Sequence, residues 1–208
     1  MRSKLLIVNT GCANIASVKY AVQRLGVAVT VSDDPREIAS ADRVLLPGVG
    51  SAQSAMASIT KKQLLEVLTR LEQPVLGICL GMQLLASTSQ EMAGSHLASN
   101  RTKQLFCLDL VPTDIKRMDA GDLVLPHMGW NQITPNSDSP LFKQIDDGTY
   151  FYFVHSFCAP ISIYTLAQCE YGQAFSAAIG KDNYQGVQFH PERSGDAGAQ
   201  LLKNFMEI

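Results

Sequence analysis

The stretch Pro74-Val75-Leu76-Gly77-Ile78-Cys79-Leu80-Gly81-Met82-Gln83 decides the fold. The continuous apolar run Pro74 to Ile78 fits a strand buried on both faces, and Met82 to Ala86 follows directly at helical spacing. Gly77 and Gly81 stand two residues either side of Cys79. This is the Gly-x-nucleophile-x-Gly form of a sharp strand-to-helix turn, which lifts a side chain off the end of a central strand. Side chains at the flanking positions would collide with the neighbouring strand and helix, so both must be glycine. A thiol there also sits at the positive end of a helix dipole, and the Leu80 N–H points where an oxyanion would form. The same residues also read as a buried cysteine at the end of a core strand. A nearby base would separate the two readings.

Working outward toward the N-terminus, residues 4 to 9 read as a short apolar strand. Ile15, Val18, Ala21, Val22 and Leu25 then fall on one helical face, which Gly26 ends. Val27 to Val31 forms a second β-branched run. After Ser32-Asp33-Asp34-Pro35 and a short helix, Arg43 to Leu46 runs into Pro47-Gly48-Val49-Gly50. Ala52 to Ala57 and Lys61 to Leu71 give two more helical pieces before Pro74. Strands that alternate with amphipathic helices imply a parallel sheet covered on both faces.

From about residue 101 the rhythm changes. Alternating or aromatic runs at 105–111, 113–118, 130–134, 150–154, 163–170, 174–179 and 184–189 are separated by turn clusters such as Asp146-Asp147-Gly148. They predict antiparallel strands and hairpins. A last helix over 198–206 turns Leu201, Leu202, Phe205 and Met206 inward. The expected fold is α/β and three-layered, with a mostly parallel central sheet, flanking helices and a β-rich, partly antiparallel second half. No linker divides the chain, so residues 1–208 are expected to form a single domain.

Composition narrows the function classes. The 208 residues are 46% hydrophobic and 17% charged, as in an ordinary globular chain. Seventeen basic against nineteen acidic residues give a net charge of −2, which argues against a nucleic-acid footprint and against a polybasic membrane patch. No apolar run approaches the ~20 residues that span a bilayer. The N-terminal stretch from Met1-Arg2-Ser3-Lys4 to Asn9-Thr10-Gly11 lacks the apolar core and cleavage site of a signal peptide. Five widely spaced cysteines without a Cys-x-x-Cys pair fit a reducing compartment, and a cytoplasmic location is expected. His155 and Cys158, three apart, read as a coincidence of spacing, and neither a metal nor a cofactor is expected.

A thiol nucleophile needs a base, and the base needs an orienting partner. Gln188-Phe189-His190-Pro191-Glu192 supplies both: Pro191 fixes the chain direction after the histidine and lets Glu192 fold back beside it. Taken alone, His-Pro-Glu could be a solvated loop. His127 and His155 lie in aromatic stretches where a structural role is as natural, and His96 sits in a polar segment. In Leu46-Pro47-Gly48-Val49-Gly50 the glycines on either side of Val49 let a peptide plane turn at small steric cost, so an N–H there could be the second oxyanion donor. Cys12, after Gly11, has no candidate base and reads as a small buried residue.

Together, Pro47-Gly48-Val49-Gly50, Gly77-Ile78-Cys79-Leu80-Gly81-Met82-Gln83 and His190-Pro191-Glu192 resemble the class I (triad) glutamine amidotransferases. Pro126-His127-Met128-Gly129-Trp130-Asn131, Tyr152-Phe153-Val154-His155-Ser156-Phe157 and the opening Gly11-Cys12-Ala13-Asn14 narrow the resemblance to the glutaminase subunits of imidazole glycerol phosphate synthases. It implies that Cys79 attacks the carboxamide of glutamine, that His190 moves the protons and that Glu192 holds its imidazole. It places the oxyanion at the N–H groups of Leu80 and of Val49 or Gly50, and the glutamine among Gly48, Gln83, Glu91 and His155-Ser156-Phe157. The implied partner is a (β/α)8-barrel synthase (cyclase) subunit. In a heterodimer it would receive the ammonia and make imidazole glycerol phosphate and an aminoimidazole-carboxamide ribotide in histidine biosynthesis. His127, Met128, Gly129, Trp130 and Asn131 are then expected at the interface. Ser51-Ala52 and Asn9-Thr10-Gly11-Cys12 depart from commoner family forms, and neither touches the triad. Two other readings are a triad glutaminase serving another acceptor and a non-catalytic regulatory module of the same fold. The first leaves His127 to Asn131 unexplained, and the second leaves the triad without a purpose.

Overall fold

A computed structural model describes residues 4–11, 14–91 and 104–208. Cys12 and His96 therefore lie outside the described residues. In chain order the strands are β1 (Leu5–Val8), β2 (Val29–Ser32), β3 (Arg43–Gly48), β4 (Val75–Cys79), β5 (Ala86–Ser89), β6 (Leu105–Phe106), β7 (Val111–Arg117), β8 (His127–Pro135), β9 (Thr149–His155), β10 (Phe157–Cys158), β11 (Thr165–Tyr171), β12 (Gln173–Lys181) and β13 (Tyr184–Val187). The helices are α1 (Ile15–Arg24), α2 (Pro35–Ala39), α3 (Ala52–Lys61), α4 (Leu65–Thr69), α5 (Leu80–Leu84) and α6 (Gly195–Glu207).

The main sheet runs in the order β2-β1-β3-β4-β13-β12-β11-β8-β9. Its first five strands pair in parallel, and the pairs from β13 through β12, β11 and β8 to β9 are antiparallel. The expected division between a parallel first half and an antiparallel second half is thus present, with one crossing: β13, late in the chain, returns to lie beside β4. A second sheet, in the order β10-β7-β5-β6, packs on one side.

Period-two alternation explains why the first strands read as continuously apolar. In β1, Leu5 and Ile7 face one core while Leu6 and Val8 face the other, and β3 likewise sends Leu45 one way and Val44 and Leu46 the opposite way. Val18, Val22, Leu201, Leu202 and Phe205 of α1 and α6 close the first core, and Ile38, Met56, Ile59 and Leu68 of α2, α3 and α4 close the second. Asn14 caps α1, its side chain accepting from the Ser17 N–H at 3.4 Å, and Asp34 caps α2, accepting from the Arg36 N–H at 2.8 Å. None of the described helices is long and apolar enough to cross a membrane.

Some boundaries differ from expectation for local reasons. Gln63, at φ 57°, interrupts the helical run expected to continue to Leu71, so α3 stops at Lys61 and α4 is short. Asp109, at φ 54°, breaks the run 105–111 into β6 and a turn. Met206 is only partly buried. Ala86 onward turns from helix into β5, because β7 is available to pair with it in parallel.

Candidate functional site

The ends of β3, β4 and β13 assemble the site. These adjacent strands are parallel and in register, Gly48 beside Cys79 and Ile78 beside Val187, so the residues just past their C-termini meet at one edge of the sheet. Open α/β sheets bind their ligands outside those ends.

Cys79 occupies the turn from β4 to α5 with φ 54° and ψ −109°, a conformation that costs a non-glycine residue about 1–3 kcal/mol. The neighbouring glycines leave it no alternative path. A Cβ on Gly81 would lie 1.7 Å from the Leu46 carbonyl oxygen, and one on Gly77 would lie 2.6 Å from the Gly81 oxygen. Leu80 is the first residue of α5, so its N–H has no acceptor within the helix. Gly48 packs just as tightly, its missing Cβ leaving room for the Gly81 nitrogen at 2.9 Å, while Gly50 holds φ 93° in the exposed loop beyond.

His190 follows β13, and its Nδ1 lies 2.8 Å from Glu192 Oε1 across Pro191. Both side chains are buried, and among the described residues no hydrogen bond reaches Glu192 Oε2. His190 is pushed up to about 10: burial opposes its charge, but the Cys79 sulfur and the Glu192 carboxylate together outweigh that effect. The imidazolium is thus favoured beside the sulfur. Three other described cysteines lie away from this histidine. Burial pushes Cys107 up to about 12, Cys158 to about 11 and Cys169 to about 12, leaving them as inert thiols.

A cavity of about 290 Å³ opens over the thiol. At ~30 Å³ per water that is room for about ten water-sized groups, the scale of one free amino acid. Val49, Gly50, Cys79, Leu80, Gln83, Glu91, His155, Ser156, Phe157, His190 and Glu192 all line it, so the predicted nucleophile, base, orienter, oxyanion donors and most glutamine contacts converge. Gly48 is not among the lining residues and packs instead against Leu80 and Gly81 of the elbow. Glu91 accepts the Ala52 N–H at 3.3 Å, and burial raises its carboxyl above the usual range. A larger groove of about 570 Å³ between α2 and α4 holds the exposed Glu66–Arg70 pair and no nucleophile.

Three contributors are not evident from the sequence. Gln188 donates to Cys79 Sγ at 3.8 Å and accepts from Gln83 Nε2 at 2.9 Å. The Val154 carbonyl accepts from the thiol at 4.0 Å. Arg193 lies 4.3 Å from the centre of the Tyr152 ring at the cavity mouth. Of these only Gln188 leaves a signal, as a polar residue inside an apolar strand end.

The stretch His127 to Asn131 divides by strand alternation. Met128 and Trp130 are 66% and 55% exposed, whereas His127 is 3% exposed, stacked 4.1 Å from Tyr171 and 4.9 Å from Phe153. In β8 the His127 ring thus faces the core while Met128 and Trp130 face out, and all five residues of the stretch line one surface groove. Gly129 and Asn131 are partly buried.

Comparison with known proteins bears on kinship and fold. The glutamine amidotransferase class-I family model matches residues 6–208. The imidazole glycerol phosphate synthase subunit HisH of Vibrio cholerae is 52% identical over 208 residues, covering all of both chains. That of Shewanella loihica is 53% identical over 203 residues, covering 98% of this chain and 90% of the relative. Among solved structures, PurLQS from Thermotoga maritima matches with a TM-score of 0.71 at 16% identity, covering 100% of this chain and 99% of the other. A glutamine amidotransferase from the same organism matches at 0.64 and 18% identity, covering 100% and 82%. These structural matches speak for the fold, and the sequence matches for kinship: the chain belongs to the class-I glutamine amidotransferase family, alongside the subunits named HisH.

Proposed function

We propose that this chain is the glutaminase subunit of an imidazole glycerol phosphate synthase and that Cys79, His190 and Glu192 are its catalytic residues. The observation that carries the reading is the placement of a strained thiol and a Glu192-held imidazole at the C-terminal ends of two adjacent strands, under a cavity of amino-acid size. Cys79 Sγ, its proton taken by His190, attacks the carboxamide carbon of glutamine. The oxygen, now negative, is held by the Leu80 N–H and by the peptide of Val49 or Gly50. His190 gives its proton to the departing nitrogen, the C–N bond breaks, and ammonia leaves behind a γ-glutamyl thioester. Water, losing a proton to His190, attacks the thioester carbon; the C–S bond breaks to release glutamate, and His190 returns that proton to the Cys79 sulfur. Glu192 keeps the imidazole oriented through both steps. Gln83, Glu91 and the 155–157 segment hold the amino-acid end.

Ammonia released into neutral water becomes mostly ammonium and loses its nucleophilicity, so the chemistry calls for a sealed transfer to a (β/α)8-barrel partner. Exposed Met128 and Trp130, with Leu123 beside them, offer an apolar surface for that partner. The test is co-purification with the barrel subunit and an assay of glutamate release with and without it. Release that rises on adding the partner and its ligand, and that vanishes in Cys79→Ala, supports the reading. Undiminished release from Cys79→Ala would overturn the catalytic assignment.

A further inference from the structure

The main chain that carries His190 is closed into a ring with β9. The His190 N–H donates to the Tyr152 carbonyl at 2.9 Å. The return bond that a reciprocal strand pair would make, from the Tyr152 N–H to the His190 carbonyl, runs through a side chain instead. That carbonyl faces into the tight turn over Pro191–Arg193, where it accepts the Arg193 N–H at 3.0 Å. The Ser194 hydroxyl spans the gap: its oxygen accepts the Tyr152 N–H at 3.0 Å, and its hydrogen goes to the His190 carbonyl at 2.6 Å. A hydroxyl donates and accepts at once, so one small group serves both ends. Ser194 is 2% exposed, which keeps bulk water from taking its place.

The hydroxyl is withheld from its usual task. Ser194 stands at the N-cap of α6, where a serine oxygen ordinarily accepts from the first turn of the helix, yet its side chain makes no such bond. α6 meanwhile presses on the same turn, since a Cβ on Gly198 would lie 1.9 Å from the Pro191 carbonyl oxygen. The segment from His190 to Ser194, with Glu192 inside it, is thus held by α6 on one side and by β9 on the other.

We propose that Ser194 is a positioning residue for His190: its hydroxyl ties the turn that bears the base to β9 at a second point and so sets where the imidazole stands relative to Cys79. The inference deepens the glutaminase reading above and rests on it. Toward β9 a single bond is a pivot about which the turn can swing, whereas two bonds fix its plane. Glu192 does not supply the second point, because it lies on the same turn and swings with it. The proton that His190 hands to the departing nitrogen crosses a gap of about 2.6–3.2 Å. A misplacement of ~1 Å costs as much as about 10²-fold in rate, so even a fraction of that swing is measurable.

The experiment uses the chain together with its barrel partner and compares two substrates, glutamine and glutamate γ-methyl ester, in wild type, Ser194→Ala, Ser194→Thr and Cys79→Ala. Both substrates form the same thioester on Cys79. Glutamine does so by breaking a C–N bond and releasing ammonia, the ester by breaking a C–O bond and releasing methanol. The nitrogen leaves only with a proton from His190, whereas the ester oxygen leaves with much less help. Ser194→Ala should therefore lower kcat/KM about 10-fold for glutamine and no more than about 3-fold for the ester, with KM for glutamine within about 2-fold of wild type. The ratio of the two kcat/KM values does not depend on how much of the protein is active, so a variant that is merely destabilised keeps the wild-type ratio. Ser194→Thr retains the hydroxyl and should hold that ratio within about 2-fold of wild type. An unchanged ratio in Ser194→Ala, or a ratio in Ser194→Thr as low as in Ser194→Ala, overturns the proposal. If Ser194→Ala does not fold, hydrogen exchange at the wild-type Tyr152 amide decides. Exchange as fast as in an unstructured chain overturns the proposal, and protection together with a near-normal ratio in Ser194→Thr supports it. Failure of the underlying reading looks different, since Cys79→Ala would then still release glutamate.

Discussion

The backbone N–H of His190 donates to the carbonyl oxygen of Tyr152 at 2.9 Å, so the proposed base hangs from the last strand of the sheet. Ser194 Oγ accepts the Tyr152 N–H at 3.0 Å, and the two bonds cover an edge of β9 that would otherwise be bare. Val154, two residues on, turns its carbonyl to the thiol. One strand therefore fixes the main chain around both proposed reacting side chains, and Glu192 holds the imidazole ring itself. Glu192→Gln should leave folding nearly intact and lower kcat by about 10²-fold or more, because a lost orienter costs the proton transfer and not the binding. Glutamate release at saturating glutamine checks this, and a kcat within a few-fold of wild type would contradict it.

Thiol chemistry should separate the cysteines. With Cys107, Cys158 and Cys169 buried and raised to about 12, 11 and 12, brief treatment with iodoacetamide near pH 7.5 should label Cys79 before those three. Peptide mass spectrometry reads the order, and Cys107, Cys158 or Cys169 labelled ahead of Cys79 would count against it.

Acid should loosen the fold through the paired histidines. Their folded pKa values, about 4 for His127 and about 3 for His155, lie below the ordinary 6.5, so below pH 6.5 the unfolded chain binds protons that the folded chain refuses. Their contribution is complete above pH 6.5 and drains away as pH falls toward 4 and then 3. His190 has the opposite sign: raised to about 10, it contributes fully below pH 6.5, and that contribution is lost as pH rises through 10. Urea unfolding between pH 6 and 4.5 should show His127→Asn losing stability less steeply than wild type, by about one proton or ~1.4 kcal/mol per pH unit. Parallel slopes would refute the assignment.

Trp130→Ala tests the proposed partner surface. Loss of an exposed aromatic anchor should weaken partner binding by about 2 kcal/mol or more, roughly 30-fold, while partner-free glutamate release stays within about 2-fold. Titration calorimetry against the barrel subunit measures the first and the standard assay the second. Unchanged affinity would move the interface elsewhere.

Much of this is legible in the sequence. The proposed triad can be read because each member sits at a backbone singularity: glycines crowd around Cys79, and Pro191 lies between His190 and Glu192. The parallel half can be read because strands buried on both faces are apolar throughout. What escapes depends on partners distant in the chain. Ala86-Ser87-Thr88-Ser89 carries no strand signal and becomes one only when β7 arrives beside it. Gln188 gains its role from Gln83, 105 residues away. The burial of the His127 ring escapes for a different reason. The exposed Met128 and Trp130 draw attention to the surface, although strict alternation along β8 already turns that ring to the opposite face.

The contact between Gly81 and Leu46 carries one more consequence. Where a Cβ would fall 1.7 Å from a carbonyl oxygen, two backbones touch without any side chain as cushion. The loop bearing Val49 departs from β3 just past that point, and the turn bearing Leu80 is that point. The two hydrogen-bond donors assigned to the oxyanion are thus surveyed from a common benchmark. A displacement of either backbone shifts the origin of both, so this anchor conserves their spacing through thermal motion, and an adjustment confined to one donor has to arise beyond it, at the φ 93° hinge of Gly50.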